Sequence, residues 1–304
     1  KFMQEITREM VLRVPNFLTM MPYVRNNFMN FQIPETLFHY TDINGFMGIL
    51  DNSEFWLSDL KFLNDTEEWV NGCDIFDNLI DNYRELVTVP VYRKFFDCLR
   101  EKLDYQKENN NIFVMSFCED GDLLSQWRGY GNNGGISIGF STKRNQILTC
   151  NNVQVTLLHD KILYDIADKE KLADEILGLG MENEFIRSEG ADFVADVVSK
   201  VIWYVIPLFK NNSFSSEKEY RWAYRADNNE AVHFRERNGM ILPFVKIKKV
   251  TDNDQVAKVD IEKIIIGPQK RQQEVSDGIK YYLECKGYID LIDKVELSRI
   301  PYRD

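Results

Sequence analysis

The chain is short of cysteine, of histidine, of long apolar runs and of positive charge, and each shortage removes a class of protein. Its five cysteines among 304 residues, Cys73, Cys98, Cys118, Cys150 and Cys285, form no C-x-x-C pair. They suggest neither a disulfide framework nor a zinc site and fit a reducing compartment. The three histidines, His39, His159 and His233, lie far apart without metal-ligand spacing, so no metal is expected. The longest apolar stretch, Val201 to Phe209, is bounded by Lys200 and Lys210 and broken by Pro207. It falls short of the ~20 residues a membrane helix needs. Lys1 to Val14 alternates charged and apolar residues without the apolar centre of a signal peptide. A cytoplasmic protein with no membrane association is therefore expected. With 37 basic against 48 acidic residues the net charge is −11, which gives no global attraction to phosphate backbones. H-E-x-x-H, G-x-S-x-G and the glycine-rich phosphate loops of the Walker and Rossmann kinds are all missing.

Apolar material is present in quantity: 44% of the residues are hydrophobic and 13% aromatic, ample for a packed core. Thr36 to Thr41 is β-prone and stops at Asp42, a good cap for a helix marked by Ile43, Phe46, Met47 and Leu50. Asn52-Ser53 ends that pattern, and Phe55 to Ser58 reads as a second strand. Two amphipathic helices are expected within 64–106, the second starting near Pro90. Strands follow at Ile112 to Cys118 and Gly135 to Phe140, with the stretch between them reading as loop. Val153 to Tyr164 reads as one strand, and Lys169 to Lys210 as one or two helices with a buried stripe from Val194 to Val205. The last third returns to strands at Glu219 to Tyr224, Ala231 to Glu236, Met240 to Lys248 and Val259 to Ile266. A helix from about Gln272 to Lys286, closed by Gly287, precedes a final strand near Val295. Without a regular βαβ rhythm, the pattern is α+β. No repeat or Pro/Gly/Ser linker divides it, so residues 35–304 are expected to form a single domain with helical insertions near 64–106 and 166–212, preceded by a segment 1–34 of unclear role.

Three constellations carry chemistry. In His39-Tyr40-Thr41, period-two alternation sends His39 and Thr41 to one face and Tyr40 to the other; on spacing alone His39 reads as a hydrogen-bonded core histidine. The second comprises Ser116-Phe117, then Leu124 to Gly131 with Trp127, Arg128 and Tyr130, then the glycines before Phe140. Its aromatic faces, guanidinium and glycines are the ingredients of a nucleotide cleft, or of a loop packed by its own aromatics. In the third, Glu217 to Arg225, Tyr220, Trp222 and Tyr224 form a core stripe while Glu217, Glu219, Arg221 and Arg225 share the opposite face. Alternation alone makes that a solvated face of salt bridges. Lining a cleft, a carboxylate there would stabilise positive charge on a ribose carbon. Cys118 has no base beside it in sequence and reads as inert.

Taken in order, these stretches resemble a family of mostly bacterial, poorly characterised proteins placed in the ADP-ribosyltransferase superfamily. The resemblance rests on Leu37 to Thr41 with Gly45 to Leu50, Phe55 to Ser58, Phe62 to Asp65 with Glu68, Ser116-Phe117, Asp122 to Tyr130, Gly139-Phe140, Glu217 to Arg221, Ile266 to Pro268 and Ile300 to Arg303. It implies a split β-sandwich whose sheets part to hold NAD as substrate. His39 would contact the adenosine-side ribose and Glu219 would be catalytic, with Glu217 in reserve. Tyr40, Trp56, Trp127 and Tyr130 compete to stack on nicotinamide; Thr41, Ser58, Ser116, Arg128 and Arg221 complete the expected cleft. The implied activity is NAD-dependent transfer of ADP-ribose to a protein, DNA or RNA acceptor, in a toxin or phage-defence setting. The alternatives are an NAD glycohydrolase, with water as acceptor, and a nucleotide-sensing or partner-binding module without catalysis. A nucleic-acid acceptor would need a local basic surface, for which Lys143-Arg144, Lys246, Lys248-Lys249 and Lys270-Arg271 are the candidates.

Overall fold

Strand β3 (Ile112–Cys118) is apolar on both faces, so both faces must be covered, and the rest of the molecule is arranged around it. A computed structural model describes residues 33–63, 67–109, 111–130, 135–142, 147–155, 157–181, 186–187, 189–226, 231–237, 239–251 and 255–301, with the backbone alone at 67, 68, 130 and 237. One edge of β3 pairs along its whole length with β8 (Glu219–Arg225), from Ile112↔Arg225 to Cys118↔Glu219. The other edge is shared. β1 (Thr36–Thr41) meets it at one end, Phe38↔Cys118, and β2 (Glu54–Asp59) at the other, Ser58↔Val114 and Asp59↔Phe113. Between those points neither strand continues its ladder with β3, and the two part around its middle.

Beyond β1 the sheet runs through β4 (Ile136–Ser141) and β11 (Ile261–Ile266) to β12 (Val295–Leu297); beyond β2 it runs through β10 (Met240–Val250) to β5 (Ile147–Cys150) and β6 (Val153–Val155). β7 (Leu158–Lys161) adds to β8, and β9 (Val232–Arg237) to β10. Of the named pairs only β11 with β12 is parallel, so the architecture is α+β with a large, mostly antiparallel mixed sheet. The expected strand across 153–164 is in fact two strands, and β5 before it escapes sequence pattern. Asn151 and Asn152 both take positive φ, 48° and 63°, folding 147–155 into a two-residue hairpin.

Helices α2 (Glu67–Leu86), α3 (Pro90–Glu108), α5 (Ile166–Gly180) and α6 (Ala191–Val205) pack together as a layer. Their core includes Phe76, Phe95, Phe96, Leu172 and the expected Val194, Val197, Val198, Val201, Ile202 and Val205 stripe. Ile112, Val114 and Ala223 belong to this core, while Phe113, Met115, Phe117, Tyr220 and Trp222 face a second core between the sheet's halves. Helix α1 (Ile43–Asn52), capped by the Asp42 carboxylate accepting from the Gly45 N–H, covers the second core beside α7 (Gln272–Cys285). The expected loop between β3 and β4 contains a helix, α4 (Leu124–Tyr130). Gly129 and its short length hid a helix that buries Gln126 and Trp127 and exposes Leu124, Ser125 and Arg128. Segment 1–34 lies almost wholly outside the described residues.

Candidate active site

Where β1 and β2 part from β3 there is a cleft of about 340 Å³, within the roughly 300–1,000 Å³ typical of small-ligand sites. Its walls carry His39, Tyr40 and Thr41 from β1, Gly45 and Gly48 from α1, Trp56 and Ser58 from β2, and Ser116 and Cys118 from β3. Gln126 from α4, Glu217, Glu219 from β8, and Arg235 and Glu236 from β9 also line it.

His39 spans the split. Its Nδ1 lies 2.9 Å from the Ser116 carbonyl oxygen; a carbonyl can only accept, so Nδ1 carries the proton and, in the neutral ring, Nε2 is the acceptor nitrogen. Tyr40 alternates to the other side: its hydroxyl donates to the Asp120 carbonyl and accepts from the Leu123 N–H, both at 2.9 Å. Gly45 is required by close approach, because a Cβ there would lie 2.0 Å from Thr41 Oγ1. A Cβ at Gly48 would meet nothing within 4 Å.

The opposite wall holds the carboxylates. Glu219 is 2% exposed, and its Oε1 accepts from Arg221 Nε at 3.0 Å and Nη2 at 2.9 Å. Its Oε2 accepts from Lys210 Nζ at 2.7 Å, and the same ammonium reaches Glu217 Oε2 at 2.8 Å. Burial alone would raise the Glu219 pKa. The charges of Arg221 and Lys210, with hydrogen bonds from Lys210 and Ser116, outweigh it and bring the carboxyl down to about 2. Glu219 is thus ionised at neutral pH. Burial, then the charges of Glu219 and Glu217, push the Cys118 thiol far up and so favour its neutral form.

The face holding Glu219 and Arg221, read from alternation as solvated, is buried beneath the helical layer: Arg221 is 1% exposed and its Nη1 donates to the Pro207 carbonyl at 2.7 Å. Arg221 therefore backs Glu219 and does not itself line the cleft. Trp127 and Arg128 also lie outside the cleft lining. Trp127 is buried edge-on against Tyr40, 4.7 Å between ring centres, with its Nε1 donating to Asp122 at 2.8 Å. Arg128 is on the exposed side of α4. The Tyr130 side chain, Asn64-Asp65, the Glu68 side chain, Lys143-Arg144 and Tyr302-Arg303 fall outside what is described. Among the remaining basic candidates, Lys246 and Lys248 both pair with Glu54, Lys249 with Asp260 and Arg271 with Glu274.

Three residues of the site were not singled out by sequence. Arg235 donates to Ser58 Oγ at 2.8 Å and lies over the rings of Trp56 and Phe244, 5.4 and 5.3 Å from their centres. Lys210 had a readable sign, as the cation closing a long apolar run. Gln126 had one too, sitting beside a tryptophan that must be buried. Among the described residues no group of three or more His, Cys, Asp or Glu is placed to hold a metal ion, and no helix is long and apolar enough to cross a membrane.

Residues 126–222 match a family described as a protein of unknown function (DUF2971). That stretch holds Gln126, Glu217 and Glu219 of the cleft, whereas His39, Trp56, Ser58 and Arg235 lie outside it. No curated protein matches the chain, and no solved structure does.

Proposed function

We propose that the chain is an NAD-dependent ADP-ribosyltransferase working in this cleft. The observation that supports it best is that His39 and the Glu217–Glu219 pair, far apart in sequence, line one cavity at the place where β1 and β2 part from β3. A parted sheet holding a first-strand histidine and a late carboxylate is the arrangement that the resemblance to the ADP-ribosyltransferase superfamily implies. Arg235, the cationic side chain among the described lining residues, is suited to the diphosphate of a dinucleotide.

In the proposed reaction the bond between nicotinamide nitrogen and ribose C1′ breaks, and its electron pair leaves with nicotinamide. Positive charge then spreads over C1′ and the ring oxygen. Glu219, ionised and held from behind by Arg221 and Lys210, stabilises that charge without reorganising. A nucleophile of a protein or nucleic acid forms the new bond to C1′ and gives up its proton.

Nicotinamide release from NAD by the purified protein, with candidate acceptors, tests the reading. Glu219→Gln is expected to lower the rate ~100-fold or more, with thermal unfolding followed to confirm folding. Equal rates in variant and wild type would sink the assignment of Glu219. Free ADP-ribose as sole product would select hydrolysis, and NAD binding without turnover would select a sensing module.

A further inference from the structure

Gln126 is 5% exposed and lines the cleft, yet its carboxamide makes no hydrogen bond to another described residue. Its amide oxygen and nitrogen are not among the buried side-chain atoms left without a partner, so the carboxamide keeps contact with the open cleft, where a ligand can replace water. Nor is Gln126 loosely held. The next residue, Trp127, is fixed by Asp122 and Tyr40 and packs so closely on Gly267 that a Cβ there would lie 2.8 Å from the indole. Asp122 in turn accepts from Ser298 Oγ and, at 2.8 Å, from the Arg299 N–H. The Ser-Gln-Trp run thus uses its aromatic to anchor α4 and turns the neighbouring amide toward the cavity.

We propose that Gln126 reads the ligand, its carboxamide pairing with a planar edge that offers one hydrogen-bond donor beside one acceptor. This rests on the nucleotide reading of the cleft, where two groups have that chemistry: the amino edge of adenine and the carboxamide of nicotinamide. Gln126 acts in recognition and takes no part in bond breaking.

The test uses Gln126→Met, which keeps the length and removes the polar atoms. Calorimetry with carba-NAD, a non-cleavable analogue, is expected to show about tenfold weaker binding. Because the lost group has no protein partner, thermal unfolding should stay at the wild-type temperature or rise. Matching weakening toward ADP-ribose assigns the adenine edge, and toward nicotinamide mononucleotide the nicotinamide edge. Unchanged carba-NAD affinity overturns the proposal, as does a drop of several degrees in unfolding temperature, which would reveal a structural role. If the wild type binds none of the three probes, the nucleotide reading falls. The ligand-reading role of Gln126 then falls with it, whereas carba-NAD binding by the wild type that the variant keeps in full overturns that role alone.

Discussion

Lys210 controls the charge state of the site more than its place at the end of an apolar helix suggests. Its ammonium joins Glu217 to Glu219, and its charge follows that of Arg221 among the influences that lower the Glu219 pKa. Replacing it with methionine leaves two neighbouring carboxylates facing each other with one cation fewer, so protons bind more readily. The acid limb of the pH–activity profile of Lys210→Met should therefore move to higher pH, and Lys210→Arg should restore it. A Met variant that loses activity equally at every pH would contradict this. Stability carries the same sign. Glu219 falls from an ordinary value of 4.5 to about 2 on folding, so its ionisation stabilises the fold fully above pH 4.5 and the contribution disappears as pH falls through about 2. It is worth on the order of 3 kcal/mol. The unfolding temperatures of wild type and Glu219→Gln should converge across that window. Glu217 and Glu219 were legible in the sequence through the motif resemblance, since alternation alone gave a solvated face, and Glu217 closes a 3-10 turn ahead of β8. Lys210 showed only as the cation closing an apolar run, since the contact that matters is made where the chain folds back after α6.

At the scale of elements, the apolar patterning located β1, α1, β2, β3 and β8 well, by one buried face in α1 and by a continuous apolar run in β3, whose two faces meet the two large cores. It failed at α4, where about two turns of helix, with Gly129 inside them, are too short to show a period. As a loop, the stretch shows Trp127 and Arg128 by their chemistry, whereas the burial of Gln126 follows only from the helix. Helix α1 offers a direct check on the element-level geometry, since its two cleft glycines differ in what surrounds them. At Gly45 an added methyl meets Thr41, so Gly45→Ala should cost about 1 to 3 kcal/mol in denaturant unfolding. At Gly48 there is open space, so Gly48→Leu should unfold near the wild-type midpoint while its side chain fills the cleft and weakens carba-NAD binding at least about tenfold. Full binding by the Leu variant would mean the ligand lies elsewhere.

Among the described residues two large apolar cores meet across β3 and β8, beside a smaller cluster around Tyr40, Cys118, Trp127 and Ile265: Val114 and Ala223 point into one of the large cores, Phe113 and Tyr220 into the other. The apolar residues are visible in the sequence, but that these two strands serve both cores is not, because strand order is set by pairings such as Phe113↔Tyr224 that leave no mark in either segment alone. The arrangement ties the site to the helical layer. Pro207 and Lys210, which hold Arg221 and Glu219, follow directly from α6, and Lys169 of α5 donates to the Lys210 carbonyl at 2.6 Å. Opening the helical layer should therefore release the carboxylate clamp and uncover one face of β3 and β8 together. In native-state hydrogen exchange under mild denaturant, the amides of β3 and β8 should be the slowest to exchange, and those of α6 should not open in a separate, earlier step. Phe95→Ala, which empties a fully buried position between α3 and α5, should cost about 3 to 5 kcal/mol and accelerate exchange in β8 along with α6. Exchange that rises in the helices alone, with β8 protection and carba-NAD binding intact, would show that the helical layer is an accessory and that the sheet holds the site by itself.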